Sequence, residues 1–136
     1  MTDRPEVGLK FGGNGDNKWF AGLKDRYVTR ALILMNVQPE VNWTVQSLAV
    51  EVGLERSAFA DRFNRLVGEG PVAFLLRVRM SKASALIREG RLSFKEIAAE
   101  VGYQSEAGFN RAFMRKPGET PGRYRDRVQN EALGPE

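Results

Sequence analysis

The sequence predicts an all-α protein, and three observations predict it. Apolar residues recur at three- and four-residue spacing along most of the chain, the pattern of a helix with one inward stripe. Most of these runs open on a helix-capping residue and close near a glycine or proline. No segment alternates apolar and polar residues as a half-buried strand does. About seven helices are expected.

They follow in order. Asp25 stands where it would cap the first, in which Tyr27, Val28, Ala31, Leu32, Leu34 and Met35 share one side; Pro39 comes after its end. Thr44 opens a short helix bearing Val45, Leu48, Ala49 and Val52, closed by Gly53. The next helix, Arg56 to Val67, turns Phe59, Phe63 and Leu66 inward and stops at Gly68. Pro71 suits the first turn of a long helix to Glu89. Its apolar side holds Phe74, Leu75, Val78, Ala83, Leu86 and Ile87, with Gly90 beyond. Ser93 and Glu96 form a capping box, S-x-x-E, before a short helix that ends at Gly102. Ser105 caps the following one, with Phe109 and Phe113 inward and Pro117-Gly118 at its end. Thr120 and Pro121 start a last helix through Tyr124 and Val128, and the chain from Gln129 is expected to fray.

These elements occur twice. TVQSLAVEVGLERSAFADRFNRLVGEGPVAF from Thr44 is answered by SFKEIAAEVGYQSEAGFNRAFMRKPGETPGRY from Ser93. Leu48 matches Ile97, Ala49 matches Ala98, and Gly53 matches Gly102. After one extra residue in the second turn, Phe59 matches Phe109, Phe63 matches Phe113, Pro71 matches Pro121 and Phe74 matches Tyr124. Two copies are too few for a solenoid. They suit a bipartite reader of a target that is itself periodic, such as duplex DNA. A short helix, a tight turn at glycine and a second helix with an aromatic inner face make a helix-turn-helix pattern, and the small Ala49 and Ala98 let the paired helices approach closely. At 1.5 Å per residue the helix from Pro71 to Glu89 would be roughly 28 Å long, close to the ~34 Å between equivalent major-groove sites on one face of B-DNA.

Composition narrows the function. Among 136 residues there is neither cysteine nor histidine. That removes disulfides, thiolate metal sites, the commonest general base and any Ser-His or Cys-His pair. No paired carboxylates stand out, so no catalytic residue, metal site or cofactor is expected. A net charge of +4 leans towards a polyanionic partner. No run of ~18 apolar residues is present for a membrane span, and the N-terminus has no signal-peptide core. A cytoplasmic protein with no membrane partner is expected.

Residues 1–21 are expected to be a flexible N-terminal arm or linker, and Trp19, Phe20 and Leu23 are expected to pack back on the domain. Residues 22–90 would form the first helix-turn-helix subdomain with the long connecting helix, 91–130 the second, and 131–136 a frayed tail.

From Trp43 to Arg125 the chain resembles the DNA-binding region of AraC/XylS-type transcription regulators. The resemblance is densest in FNRAFMRKPGETPGRYR, Phe109 to Arg125, with IAAEVGYQSEAGF and SAFADRFNRLVGEGPVAFLLRVRM also fitting. It implies two helix-turn-helix subdomains joined by a long helix, with base-reading side chains early in each second helix. By position these are Arg56, Ser57, Ala60 and Asp61 in the first copy, and Glu106, Ala107, Asn110 and Arg111 in the second. Arg62, Arg65, Arg115, Lys116, Arg123 and Arg125 are the candidate phosphate contacts.

Two positions depart from the family pattern. Asp61 stands where members usually have an arginine that reaches DNA, whereas its counterpart Arg111 keeps the basic type. Asp61 can accept from cytosine N4 or pair with Arg62 or Arg65. Gly108 lies inside the second reading helix, where a larger residue is common. The expected function is sequence-specific binding of double-stranded DNA by a transcription regulator. RNA polymerase is a second candidate partner. An effector-binding or dimerisation domain is expected outside this chain, which would itself be a monomer. The alternative is a helical protein-interaction module that contacts RNA polymerase or a partner regulator and binds DNA only weakly.

Overall fold

The computed structural model describes residues 24–133. The expected arm, with Trp19, Phe20 and Leu23, and the last three residues of the tail lie outside them. The described residues form seven helices and no strand: α1 (Arg26–Val37), α2 (Val45–Val52), α3 (Arg56–Val67), α4 (Pro71–Glu89), α5 (Phe94–Glu100), α6 (Glu106–Arg115) and α7 (Pro121–Leu133). The chain divides into two compact units inside α4, between Val78 and Arg79.

In the first unit, Asp25 caps α1 by accepting from the Tyr27 and Val28 amides at 3.0 and 3.1 Å. The core draws on Val28, Ala31, Leu32 and Met35 of α1, Leu48, Ala49 and Val52 of α2, and Phe59, Phe63 and Val67 of α3. Phe74, Leu75 and Val78 close it from α4. The Phe59 and Phe63 rings lie 5.7 Å apart and those of Phe63 and Phe74 5.9 Å, tilted or edge-on as aromatic quadrupoles prefer. Val67, not the expected Leu66, is the fully buried aliphatic at the end of α3; Leu66 packs on the rim.

The second unit repeats that plan. Ile97, Ala98 and Val101 pack with Phe109, Ala112 and Phe113 of α6 and Tyr124 and Val128 of α7. Met80, Ala83 and Ile87 of α4 are also buried. Phe113 lies 5.7 Å from Phe109 and 5.6 Å from Tyr124, so the ring trio of the first unit has its counterpart. Arg88 Nε donates to the Tyr124 hydroxyl at 2.8 Å. Arg79, 8% exposed, stacks its guanidinium over Tyr103 at 5.2 Å.

The turns inside the two copies are closed by the same bonds. In the first, Leu54 N–H donates to Ala49 C=O and Gly53 N–H to Val50 C=O, at 3.0 and 3.2 Å. In the second, Tyr103 donates to Ala98 and Gly102 to Ala99, at 2.8 and 3.1 Å. Both glycines take positive φ, +87° and +99°, where a β-carbon would be strained. α7 does not fray at Gln129 but continues to Leu133. Arg127 holds that last stretch, pairing with Glu131 one turn on and with Glu119 before the helix.

Candidate nucleic-acid interface

α3 and α6 each bury one side and expose the other. At about 100° per residue, Asp61 lies roughly 200° around α3 from Phe59, and Arg111 as far around α6 from Phe109. Each therefore sits at the pole opposite its core. Ser57 and Arg65 stand one turn either side of Asp61, and Ala107 and Arg115 one turn either side of Arg111; all six are exposed. Arg56 and Glu106, at the first helical positions, are exposed as well, while Ala60 and Asn110 are half-buried on the flank.

The helix starts differ. Ser105 Oγ accepts from the Gly108 amide at 3.0 Å, so α6 is capped, whereas Glu55 makes no side-chain cap for α3. The extra residue in the second turn is what brings a serine to the cap. A β-carbon on Gly108 would stand 3.3 Å from Ser105 Oγ and 3.7 Å from Arg111 Nη2. The approach to Ser105 Oγ is tight and that to Arg111 ordinary contact, so glycine there spares the capping hydroxyl a small shift.

Charge partners sort the basic residues. Arg62 is not a free cation: its Nη1 donates to Asp25 Oδ2 at 2.6 Å, and its guanidinium lies 5.3 Å from the Tyr27 ring centre. Burial, the largest influence, pushes the Asp25 carboxyl up. The Arg62 hydrogen bond, the Val28 amide, the Arg62 charge and the Tyr27 amide together outweigh it and hold Asp25 below its ordinary value. Arg125 stacks on Phe94 at 4.8 Å and lies 4.0 Å from Asp126. By contrast, the side chains of Arg56, Arg65, Arg111, Arg115, Lys116 and Arg123 have no ion-pair or hydrogen-bond partner among the described residues. Asp61 has none either, so neither Arg62 nor Arg65 neutralises it.

Arg123 lines a surface hollow of about 520 Å³ with Met114, Pro117, Gly118, Glu119 and Thr120. Among the described residues, no group of three or more acidic, histidine or cysteine side chains could hold a metal ion, and no helix is long and apolar enough to cross a membrane. The Asp25–Arg62 pair escaped the sequence reading because its members are 37 residues apart with no local signal. The capping box of α2 escaped it too: Ser47, not Glu or Gln, returns the bond to the Thr44 amide.

Residues 48–127, more than half of the chain, match the family model described as a helix-turn-helix domain. A putative AraC-like transcription regulator of Streptomyces lividans is 42% identical over 107 residues, 79% of this chain and 35% of that protein. The chain belongs to the AraC-type helix-turn-helix family. A second relative in that family, the transcriptional regulator AlkR of Acinetobacter baylyi, is 37% identical over the same 79% of this chain and 35% of its own length. This AraC-type chain thus spans about a third of the curated relatives it matches. The DNA-binding domain of AdpA, solved in complex with a target DNA, shares the fold at a TM-score of 0.73 and 24% identity, over 82% of this chain and 99% of that one.

Proposed function

We propose that this chain binds duplex DNA sequence-specifically as part of a transcription regulator, with α3 and α6 in successive major-groove segments. The observation that carries this reading is the outward ridge of each second helix: exposed, rich in unpartnered polar groups, and standing on a duplicated helix-turn-helix. The 19-residue α4, whose two ends belong to the two units, is roughly 28 Å long, of the order of the ~34 Å between equivalent major-groove sites. The family membership and the DNA-bound state of AdpA support the same reading.

Arg56, Ser57, Ala60 and Asp61 would face bases in one half-site, and Glu106, Ala107, Asn110 and Arg111 in the other. Arg65, Arg115, Lys116 and Arg123, exposed and unpartnered, would contact phosphates. Arg62 is assigned instead to joining α3 to the capped start of α1, and Arg125 keeps a phosphate role only from its place over Phe94. Binding of this kind involves no catalytic step.

Selection from random duplexes, with footprinting of the selected sequence, tests the reading. Arg111→Ala is expected to reduce preference between sequences, and Arg123→Ala to weaken binding about equally on all of them. If both variants bind like the parent, the reading helices are misplaced. Affinity that does not fall with salt would favour the protein-interaction alternative.

A further inference from the structure

We propose that Asp61 selects cytosine at one base pair of the half-site that α3 reads. This requires α3 to enter a major groove, as proposed for it above. Asp61 stands at the centre of the exposed ridge of α3, between Ser57 and Arg65, directly opposite the buried Phe59 and Phe63. It has no partner within the described residues. Arg62, the nearest cation in sequence, is turned to Asp25 and held at 2.6 Å.

A carboxylate in that position offers acceptors only. The major-groove edge presents two donors for it, the N4 amino group of cytosine and the N6 amino group of adenine; guanine and thymine present acceptors and a methyl group. Adenine sets the N7 lone pair beside its amino group, where it repels the second carboxylate oxygen. Cytosine sets a C–H there. Cytosine is therefore the base that satisfies the carboxylate without a clash of lone pairs. Arg65, one turn further along the same ridge, supplies positive charge that offsets the repulsion between Asp61 and the backbone phosphates.

The same pole of α6 carries Arg111, a pure donor suited to the O6 and N7 acceptors of guanine. The two half-sites would then demand opposite chemistry from the base under the pole: a donor in one and an acceptor pair in the other. The structural repeat of the protein does not translate into a sequence repeat of its site.

The test uses the full chain on its selected duplex, in competition with single base-pair variants along each half-site. For the parent, replacing the cytosine is expected to weaken binding about tenfold, within the range of a single lost base contact. Asp61→Ala should cut discrimination at that position to less than about twofold and leave the other positions unchanged. Asp61→Asn should move the preference to adenine, whose N6 and N7 an amide can engage together. Asp61→Ala retaining the parental preference at every position would overturn the assignment. So would any preferred base other than cytosine at the position Asp61 controls. Failure of the groove-reading role itself looks different: the footprint then lacks the first half-site, and Arg56→Ala and Ser57→Ala change no base preference. Affinity for non-specific duplex and the thermal midpoint, both expected at or above parental values in the Asp61 variants, exclude loss of folding.

Discussion

Arg62 and Arg65 lie three residues apart on α3, and the structure gives them different surroundings. Arg62 is held by Asp25, whose side chain is 11% exposed, while Arg65 is exposed and unpartnered. Each phosphate contact contributes about −0.9 to the slope of log affinity against log salt. If Arg65, Arg115, Lys116 and Arg123 make the contacts, the slope is about −3.6, and affinity falls roughly 150-fold between about 50 and 200 mM salt. Arg65→Ala should reduce that fall to roughly 40-fold, leaving the thermal midpoint unchanged, since an exposed side chain with no partner contributes little to stability. Arg62→Ala should do the reverse: the slope stays parental and the midpoint drops, because a nearly buried carboxylate loses its counter-ion. Fluorescence-anisotropy titrations at four salt concentrations, alongside thermal unfolding, measure both quantities. If Arg62→Ala flattens the salt dependence as much as Arg65→Ala and leaves the midpoint untouched, intramolecular pairing is not what decides which cations face phosphate.

Two stability predictions accompany it. Asp25→Ala removes the cap of α1 together with its ion pair, and the cap alone is worth about 1 kcal/mol. Asp25 titrates below its ordinary value of 3.8 in the folded chain, so its contribution is complete above that pH and is lost as the pH falls through the depressed value. The stability gap between parent and variant should therefore be constant near neutrality and narrow below about pH 3.8; a gap that widens on acidification would contradict the pairing. Glu55→Ser should supply the cap that α3 lacks and raise stability by about 0.5–1 kcal/mol in urea unfolding. No gain would mean that the start of α3 is already satisfied by solvent.

Local chemistry makes most of the fold legible. Capping residues, terminating glycines and the spacing of phenylalanines act within a few residues, so the order of the amino acids alone marks the helices. Contacts across the chain are less accessible. The pairing of Asp25 with Arg62 depends on α1 and α3 meeting in space, so the sequence could offer Arg62 as a phosphate ligand with equal ease. Leu66 and Val67 are adjacent apolar residues, and only the packing of neighbouring helices decides that Val67 is the one fully enclosed. The end of α7 is hidden for a similar reason: the apolar stripe stops at Val128, and the turns beyond it are held by Arg127 with Glu119 and Glu131. In the candidate interface, sequence position identifies which residues lie on the second helix of each copy. Which of their charges are already neutralised inside the protein is a tertiary property.

The two copies diverge where packing permits it. Inward positions must keep volume and shape, since a core at crystal-like density tolerates little change, and Phe59, Phe63 and Phe74 accordingly match Phe109, Phe113 and Tyr124 in both identity class and ring contacts. The turn glycines keep the same left-handed geometry because the closing bonds need it. The outward ridge is under no such constraint, and there Ser57-Asp61-Arg65 corresponds to Ala107-Arg111-Arg115. The last member of each ridge is arginine, as uniform phosphate would favour. One turn earlier the charge reverses, and on the proposed reading a change of side chain at the pole would alter what a base edge must offer while leaving the fold untouched. A protein built from one motif used twice can in this way read two unlike half-sites.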